Sequence, residues 1–280
     1  MTDVLLLGLG EVGSVLAQDL DARLRAWDVA FADPDSRASR NAARLGVTPD
    51  SSASGADLVI SAVTAANAEA AARSVAAGLE PGAWFLDLNS AAPEQKQRAA
   101  DAVERAGGRY VEAAVMSPIN PKRLAAPILL GGPHATEFAG FARSLGFTGM
   151  EPFADTVGPA SATKLCRSVL VKGIEALAME SMLAARAWGV QDRVLDSLGN
   201  LFPADDWAKL AGYLISRSVE HGTRRAEEMR EAAATVAGTG VEPLMSLAAA
   251  QRQDWAAGRR DALDGEELLD MLDRIRETLT

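Results

Sequence analysis

The sequence is poor in the residues that carry most disulfide and metal chemistry. One cysteine, Cys166, stands in 280 residues, so no intrachain disulfide can form and a reducing, cytoplasmic setting is expected. Histidine occurs only at His134 and His221; with Cys166 these give no zinc-ligand spacing, and no metal is expected. Positive charge is short as well. Lys and Arg number 28 against 38 Asp and Glu, a net charge of −10, and aromatics make up 5%. That balance lacks the basic footprint of a nucleic-acid binder and the polybasic segment that anionic lipid attracts. No apolar run reaches the ~18 residues that cross a bilayer. The apolar start, Val4–Leu7, follows an acidic residue and runs into a glycine turn, without the basic flank and cleavage site of a signal peptide. Neither a nucleic acid nor a membrane is expected as a partner.

What the chain does have is an ordinary globular composition, 48% hydrophobic. Its length exceeds the ~100–200 residues of one domain, which points to two. The first half alternates β-rich runs with Ala-rich helical stretches. Strands are expected at Val4–Leu7, Asp28–Ala32, Leu58–Val63, Trp84–Leu88, Tyr110–Val115, Ile128–Leu130 and Met150–Phe153. Helices are expected near 11–25, 36–45, 66–77, 93–106 and 135–145. This βαβα order implies a doubly wound, mostly parallel sheet with helices on both faces. Beyond about residue 156 the strand signal stops. Gly158-Pro159 reads as a helix entry, with proline tolerated in the first turn, and a long helical pattern runs to Trp188 before Gly189. Breaks follow at Asn200–Pro203, Gly238–Gly240 and Gly258, and an amphipathic segment closes the chain at Gly265–Leu279. The expected division is an α/β half, 1–156, and an all-α half, 157–280.

Gly8-Leu9-Gly10-Glu11-Val12-Gly13 is a GxGxxG that follows a strand directly and opens a helix. The first glycine permits the tight turn, the second lets backbone approach a pyrophosphate, and the third lets helix and strand pack closely. The helix N-terminus offers N–H donors to phosphate oxygens. Asp33 lies 20 residues after Gly13, where a carboxylate accepts hydrogen bonds from an adenine-ribose hydroxyl. That carboxylate repels a 2′-phosphate and favours NAD, while Arg37 and Arg40 keep NADP open. Later strand ends face the same crevice, making Val63, Thr64, Asn89 and Ser90 candidates along the ribose and nicotinamide. A helix cap is the competing reading for Asn89-Ser90.

Oxidising an alcohol requires a group that takes the hydroxyl proton. His134, in a Gly-Pro-rich turn, reads as structural. Lysine can serve if burial and nearby positive charge lower its pKa, and Lys164 is the candidate. The segment Gly158–Ser168 resembles the catalytic-lysine segment of the β-hydroxyacid dehydrogenases, the family of 3-hydroxyisobutyrate and 6-phosphogluconate dehydrogenases. Leu7–Gly13 looks like that family's start, and Glu112-Ala113-Ala114-Val115 looks like its Asp-Ala-Pro-Val substrate strand. The chain departs from the pattern where Met116-Ser117-Pro118 replaces Ser-Gly-Gly, and where Ser168 replaces the asparagine four residues after the lysine. Lys172 and Glu175 lie near the same helix face, as a buried supporting pair or a surface pair. The segment Glu220–Met229 resembles a subgroup whose second domain carried an unknown-function label and which includes phenylserine-dehydrogenase-like members.

The resemblance implies a Rossmann domain, a long interdomain helix, an all-α domain and a homodimer. It implies hydride transfer between a nicotinamide cofactor and a small β-hydroxy acid, with Lys164 as general acid–base. Ser117, Ser168, His221 and Arg224 are the expected substrate contacts; an i,i+4 pair between Arg224 and Glu228 on a charged helix face is the competing reading. Two alternatives stay open: an imine reductase of the same architecture, and a cofactor-binding protein without turnover.

Overall fold

The computed structural model describes residues 1–198, 206–265 and 267–279. The break expected at Asn200–Pro203 lies outside them. The chain divides into two compact units, Met1–Lys164 and Leu165–Thr280.

The first unit is built on one sheet of β1 (Asp3–Leu7), β2 (Arg23–Trp27), β3 (Thr48–Pro49), β4 (Leu58–Ser61), β5 (Trp84–Asp87), β6 (Arg109–Val115), β7 (Ile128–Gly131) and β8 (Met150–Ala154). Their order is β3-β2-β1-β4-β5-β6-β7-β8, and every adjacent pair is parallel except β6 with β7. The chain crosses from β1 to β4 after winding outward through β2 and β3, which places a topological switch point above β1 and β4. Between the strands lie α1 (Glu11–Asp19), α2 (Arg37–Leu45), α3 (Ala68–Ala76), α4 (Pro93–Arg105) and α5 (Ala135–Ser144).

Strand alternation sends Val4 and Leu6 to one face of the sheet and Leu5 and Leu7 to the other, and all four are buried. The first face packs Leu16 of α1, Ala38 and Ala42 of α2 and Phe138 of α5. The second packs Ala72 and Val75 of α3 and Ala99 and Val103 of α4. Burial of both faces explains why the central strands read as continuous apolar runs rather than alternating ones.

The second strand is not where the sequence suggested. Asp28–Ala32 is not a strand; β2 is Arg23–Trp27, and Val29–Ala32 forms a 3-10 turn. The helix expected over 11–25 ends at Asp19 for the same reason. Arg23, Leu24, Arg25 and Ala26 alternate charged with apolar residues, and β2 pairs in register with β1, Arg25 opposite Leu5. The guanidinium of Arg25 bridges Asp3 at 2.8 Å and Asp50 at 2.7 Å, so its charge is balanced along the strand edge. Short β3, which pairs with β2, carried no sequence signal of its own.

The helix α6 (Pro159–Trp188) begins in the first unit, with proline at its first position, and runs on through the second. The second unit adds α7 (Gln191–Leu198), α8 (Trp207–Ala237), α9 (Leu244–Ala257) and α10 (Leu268–Glu277). Its core joins Met179 and Met182 of α6, Ile215 and Val219 of α8, and Met271, Leu272 and Ile275 of α10. Among the described residues, no helix is long and apolar enough to cross a membrane, and no group of three or more His, Cys, Asp or Glu is arranged to hold a metal.

Candidate cofactor and catalytic site

The carboxyl ends of β1, β4 and β5 carry most of the residues singled out from the sequence. Beyond β1, Gly8 has φ +91°, and a Cβ on it would lie 2.5 Å from the Ala62 carbonyl oxygen. A Cβ on Gly13 would lie 2.0 Å from the Gly8 carbonyl, so the helix–strand approach requires glycine there. Gly10 differs: a Cβ there would meet no protein atom within 4 Å. That open space faces the N-terminus of α1, whose cap residue Gly10 offers no side-chain hydrogen bond to the first-turn N–H groups of Glu11, Val12 and Gly13. These residues fit a dinucleotide pyrophosphate.

The loop is held from both sides at Leu9. Its N–H donates to Asp28 Oδ2 at 2.8 Å, and its carbonyl accepts from Asn41 Nδ2 at 2.9 Å. Asp28 follows β2 directly and also accepts from Ala30 N at 2.9 Å. Asp33 lies further along, capping the 3-10 turn, exposed, with Oδ1 accepting from Asp35 N. Arg37 is exposed at the start of α2, and the Arg40 guanidinium donates to the Asp35 carbonyl. Sequence reasoning missed Asp28 because the strand was placed one segment too late.

At the next two strand ends the side chains brace one another. Asn89 is buried; its Oδ1 accepts from Val63 N at 2.7 Å and its Nδ2 donates to Ser61 Oγ at 2.9 Å. It is not a helix cap, since α4 is capped by Ala92. Thr64 precedes a short 3-10 turn and accepts from Asn67. Beneath Asn89 lies a fully buried ionic group. Lys96 donates to Asp87 Oδ1 and to the Asp87 carbonyl, both at 2.9 Å, and Tyr110 donates to Asp87 Oδ2 at 2.7 Å. Burial, reinforced by the Asp87 carboxylate, pushes the Tyr110 hydroxyl well above its ordinary pKa and keeps it a donor. Asp87 Oδ1 also accepts from Asn89 N at 2.9 Å, so the buried pair supports the loop above it.

Ser90, one residue on, meets the candidate lysine. Lys164 Nζ lies 2.5 Å from Ser90 Oγ, and both residues are half-buried. The first turn of α6, one turn ahead of Lys164, is fixed by Glu112 of β6. Glu112 Oε2 accepts from Gly158 N at 2.7 Å and Oε1 from Ser161 N at 2.8 Å. Ser117, beyond β6, is half-buried and donates to the Pro118 carbonyl at 3.1 Å.

A region described as the NAD binding domain of 6-phosphogluconate dehydrogenase matches residues 3–142, half of the chain. A domain of unknown function (DUF1932) matches residues 185–256. A conserved hypothetical protein from Sinorhizobium meliloti 1021 is 38% identical, with 98% of this chain and 97% of that one covered and a TM-score of 0.76. The chain belongs to the β-hydroxyacid dehydrogenase family. The 3-hydroxyisobutyrate dehydrogenase of Mycobacterium tuberculosis, solved with L-serine, is 21% identical over 100% of both chains, with a TM-score of 0.72. A reductive aminase from Aspergillus terreus, solved with NADPH and ethyl levulinate, is 19% identical over 99% of both chains, with a TM-score of 0.55. These two likenesses bear on the fold alone. No curated protein sequence matches the chain.

As in the family at large, the first unit of this β-hydroxyacid dehydrogenase homologue is a nicotinamide-dinucleotide-binding domain. The second unit holds the remaining residues picked out from the sequence. Ser168, buried on α6, accepts from Lys172 Nζ at 2.9 Å. Lys172 and Glu175 each form an ion pair with α8, Lys172 with Glu228 at 2.5 Å and Glu175 with Arg225. Burial is the main cause that raises the Glu175 pKa above its ordinary value, against the pull of Arg225 and Lys172. Arg224 forms the i,i+4 pair with Glu228 at 2.5 Å, its side chain more than half exposed. His221 sits 3.2 Å from Glu220, and burial followed by Arg217 lowers its pKa. His134 packs its ring edge-on against Trp84, with centroids 6.2 Å apart, consistent with a structural place.

Proposed function

We propose that the protein is a nicotinamide-dependent dehydrogenase of a small β-hydroxy acid, with Lys164 as its general acid–base. The observation that carries this reading is the 2.5 Å contact of Lys164 Nζ with Ser90 Oγ at the carboxyl edge of the sheet, on the edge that also carries the Gly8–Gly13 loop. In the oxidative direction Lys164 Nζ takes the proton of the substrate hydroxyl; in the reductive direction it returns that proton. A hydroxyl both donates and accepts, so the Ser90 contact holds in either protonation state of the lysine and keeps Nζ on station through the cycle. The cofactor, when bound, takes up or supplies the hydride. Orientation of the reacting groups contributes much of the rate.

Gly8, Leu9, Gly10, Glu11, Val12 and Gly13 would hold the pyrophosphate, with Val63, Thr64, Asn89 and Ser90 along the ribose and nicotinamide. Ser117, Ser168 and Arg224 are proposed contacts for the substrate's acid group, and His221 is proposed as a further substrate contact. NAD is the proposed cofactor. Asp28, Asp33 and Asp35 follow β2 within eight residues and repel a 2′-phosphate, while the Arg40 guanidinium is already engaged by the Asp35 carbonyl. A homodimer is proposed as the assembled form; exposed Leu170, Ile174 and Leu177 along one side of α6 support it.

The test is a panel of β-hydroxy acids with NAD and with NADP, and of imines with the reduced cofactors, followed at the reduced-nicotinamide absorbance. Turnover of hydroxy acids with NAD supports the reading. Turnover of imines alone would replace it with reductive amine chemistry, and nucleotide binding without turnover on either panel would contradict it.

A further inference from the structure

Glu112 is a fully buried carboxylate on a central strand, and its hydrogen bonds run to backbone N–H groups, whereas Asp87 on the next strand takes Lys96. Its partners are the N–H groups of Gly158 and Ser161, at 2.7 and 2.8 Å, in the opening turn of α6. Ser161 Oγ closes the same turn by donating to the Gly158 carbonyl at 3.0 Å. A carboxylate at a helix N-terminus is stabilised by the unsatisfied donors and the dipole of the first turn. Gly131, directly opposite on β7, leaves the carboxylate its room: a Cβ there would stand 2.4 Å from Glu112 Oε2, so the carboxylate would have to shift.

Two adjacent strands make this arrangement more than a cap. Glu112 on β6 pairs in register with Asp87 on β5. Three residues beyond Asp87 the chain reaches Ser90, and three residues beyond Ser161 it reaches Lys164. The contacts therefore close a ring: β5 to β6 by strand pairing, Glu112 to the first turn of α6, one turn of helix to Lys164, and Lys164 to Ser90 on the end of β5. A long flexible lysine is held to one height above the sheet by a rigid frame on which Glu112 is the connection to the helix.

We propose that Glu112 is a positioning residue for Lys164, setting the distance from its Nζ to Ser90 through the first turn of α6. The proposal rests on the reading of Lys164 as the acid–base group. Two variants of the full-length protein disturb the frame differently. Glu112→Gln replaces one acceptor with a donor that cannot receive the N–H facing it; Gly131→Ala leaves Glu112 in place but drives its carboxylate aside. For each, kcat and nucleotide Kd are measured. The reactivity of Lys164 toward an amine-acylating reagent is read by peptide mass spectrometry against exposed Lys122 and Lys209. The expected result is a fall in kcat of about 10–100-fold, the scale of a small misplacement of a reacting group. Nucleotide Kd stays unchanged, and acylation rises severalfold at Lys164 alone. Wild-type kcat and wild-type Lys164 reactivity in both variants overturn the inference. So does a general loss, in which nucleotide binding fails and every lysine becomes more reactive, since Glu112 is then merely structural. If Lys164→Ala itself leaves turnover intact, the underlying reading of Lys164 fails instead, and the labelling still reports whether Glu112 sets the lysine's place.

Discussion

Lys164 and Ser90 are 74 residues apart in the chain and meet at 2.5 Å where the first turns of α6 pass the end of β5. One was singled out as a proton carrier and the other as a cofactor contact, on separate grounds. Their meeting joins the nucleotide edge of the sheet to the lysine, and several measurable consequences follow from how that edge is built.

Two glycines of the loop, Gly10 and Gly13, should separate by experiment. Gly13→Ala would place its Cβ 2.0 Å from the Gly8 carbonyl, so it should lower Tm and impair folding. Gly10→Ala meets no protein atom, so Tm should stay within error while nucleotide affinity falls, because the added methyl enters the space beside the helix N-terminus. Thermal melts and nucleotide titrations of the pair decide it; equal affinity in Gly10→Ala and wild type would remove the pyrophosphate from this loop.

Asn89→Ala should weaken both stability and cofactor binding. It leaves the Val63 N–H without its acceptor and Ser61 without its donor, at a cost of about 1–3 kcal/mol for the stranded group. Denaturant titration measures the first effect and nucleotide Kd the second. Unchanged affinity with lowered stability would make Asn89 a brace with no part in shaping the cofactor edge.

Lys96→Met should be among the most destabilising substitutions in the first unit. It removes one partner from a pair in which both side chains are fully buried, and breaking such a pair costs about 3–5 kcal/mol. The Asp87 carboxylate left behind also supports Tyr110 and Asn89, so loosening should spread to the cofactor edge. A urea midpoint like that of the wild type would show that water or a rearranged Tyr110 takes over.

Acid should weaken the second unit through His221. Its folded pKa lies below the ordinary 6.5, chiefly through burial and then the Arg217 charge. The unfolded chain therefore binds the proton more readily. The stabilising contribution is present above the unfolded pKa and is lost as pH falls from there through the folded value. Stability measured by denaturant from pH 7.5 downward should fall less steeply in His221→Gln than in the wild type. Identical slopes would place no pKa shift at His221.

The doubly wound sheet, the glycine loop, the long helix from Pro159 and the candidate lysine were all legible in the sequence, because each has a local signature. Apolar runs bounded by glycine, proline at a helix start and a lysine in a familiar segment need no distant partner to be read. The second strand was not legible: Arg23 and Arg25 look like helix surface until Asp3 and Asp50 are seen beside them. Glu112 is legible in the sequence only as the start of a segment like the family's substrate strand; its tie to α6 is not, since its partners lie 46 and 49 residues away and are backbone groups. The Asp87–Lys96 pair escaped notice because a charged side chain in an amphipathic helix is ordinarily exposed, and here α4 turns Lys96 inward.

The central claim is that Lys164 moves the substrate proton. It is tested most directly by comparing kcat and nucleotide Kd of Lys164→Ala with those of the wild type on an active hydroxy acid. Removing a general acid–base should lower kcat by about 10²–10⁴-fold while nucleotide Kd stays at the wild-type value. Turnover that survives in Lys164→Ala, with cofactor still bound, would contradict the account.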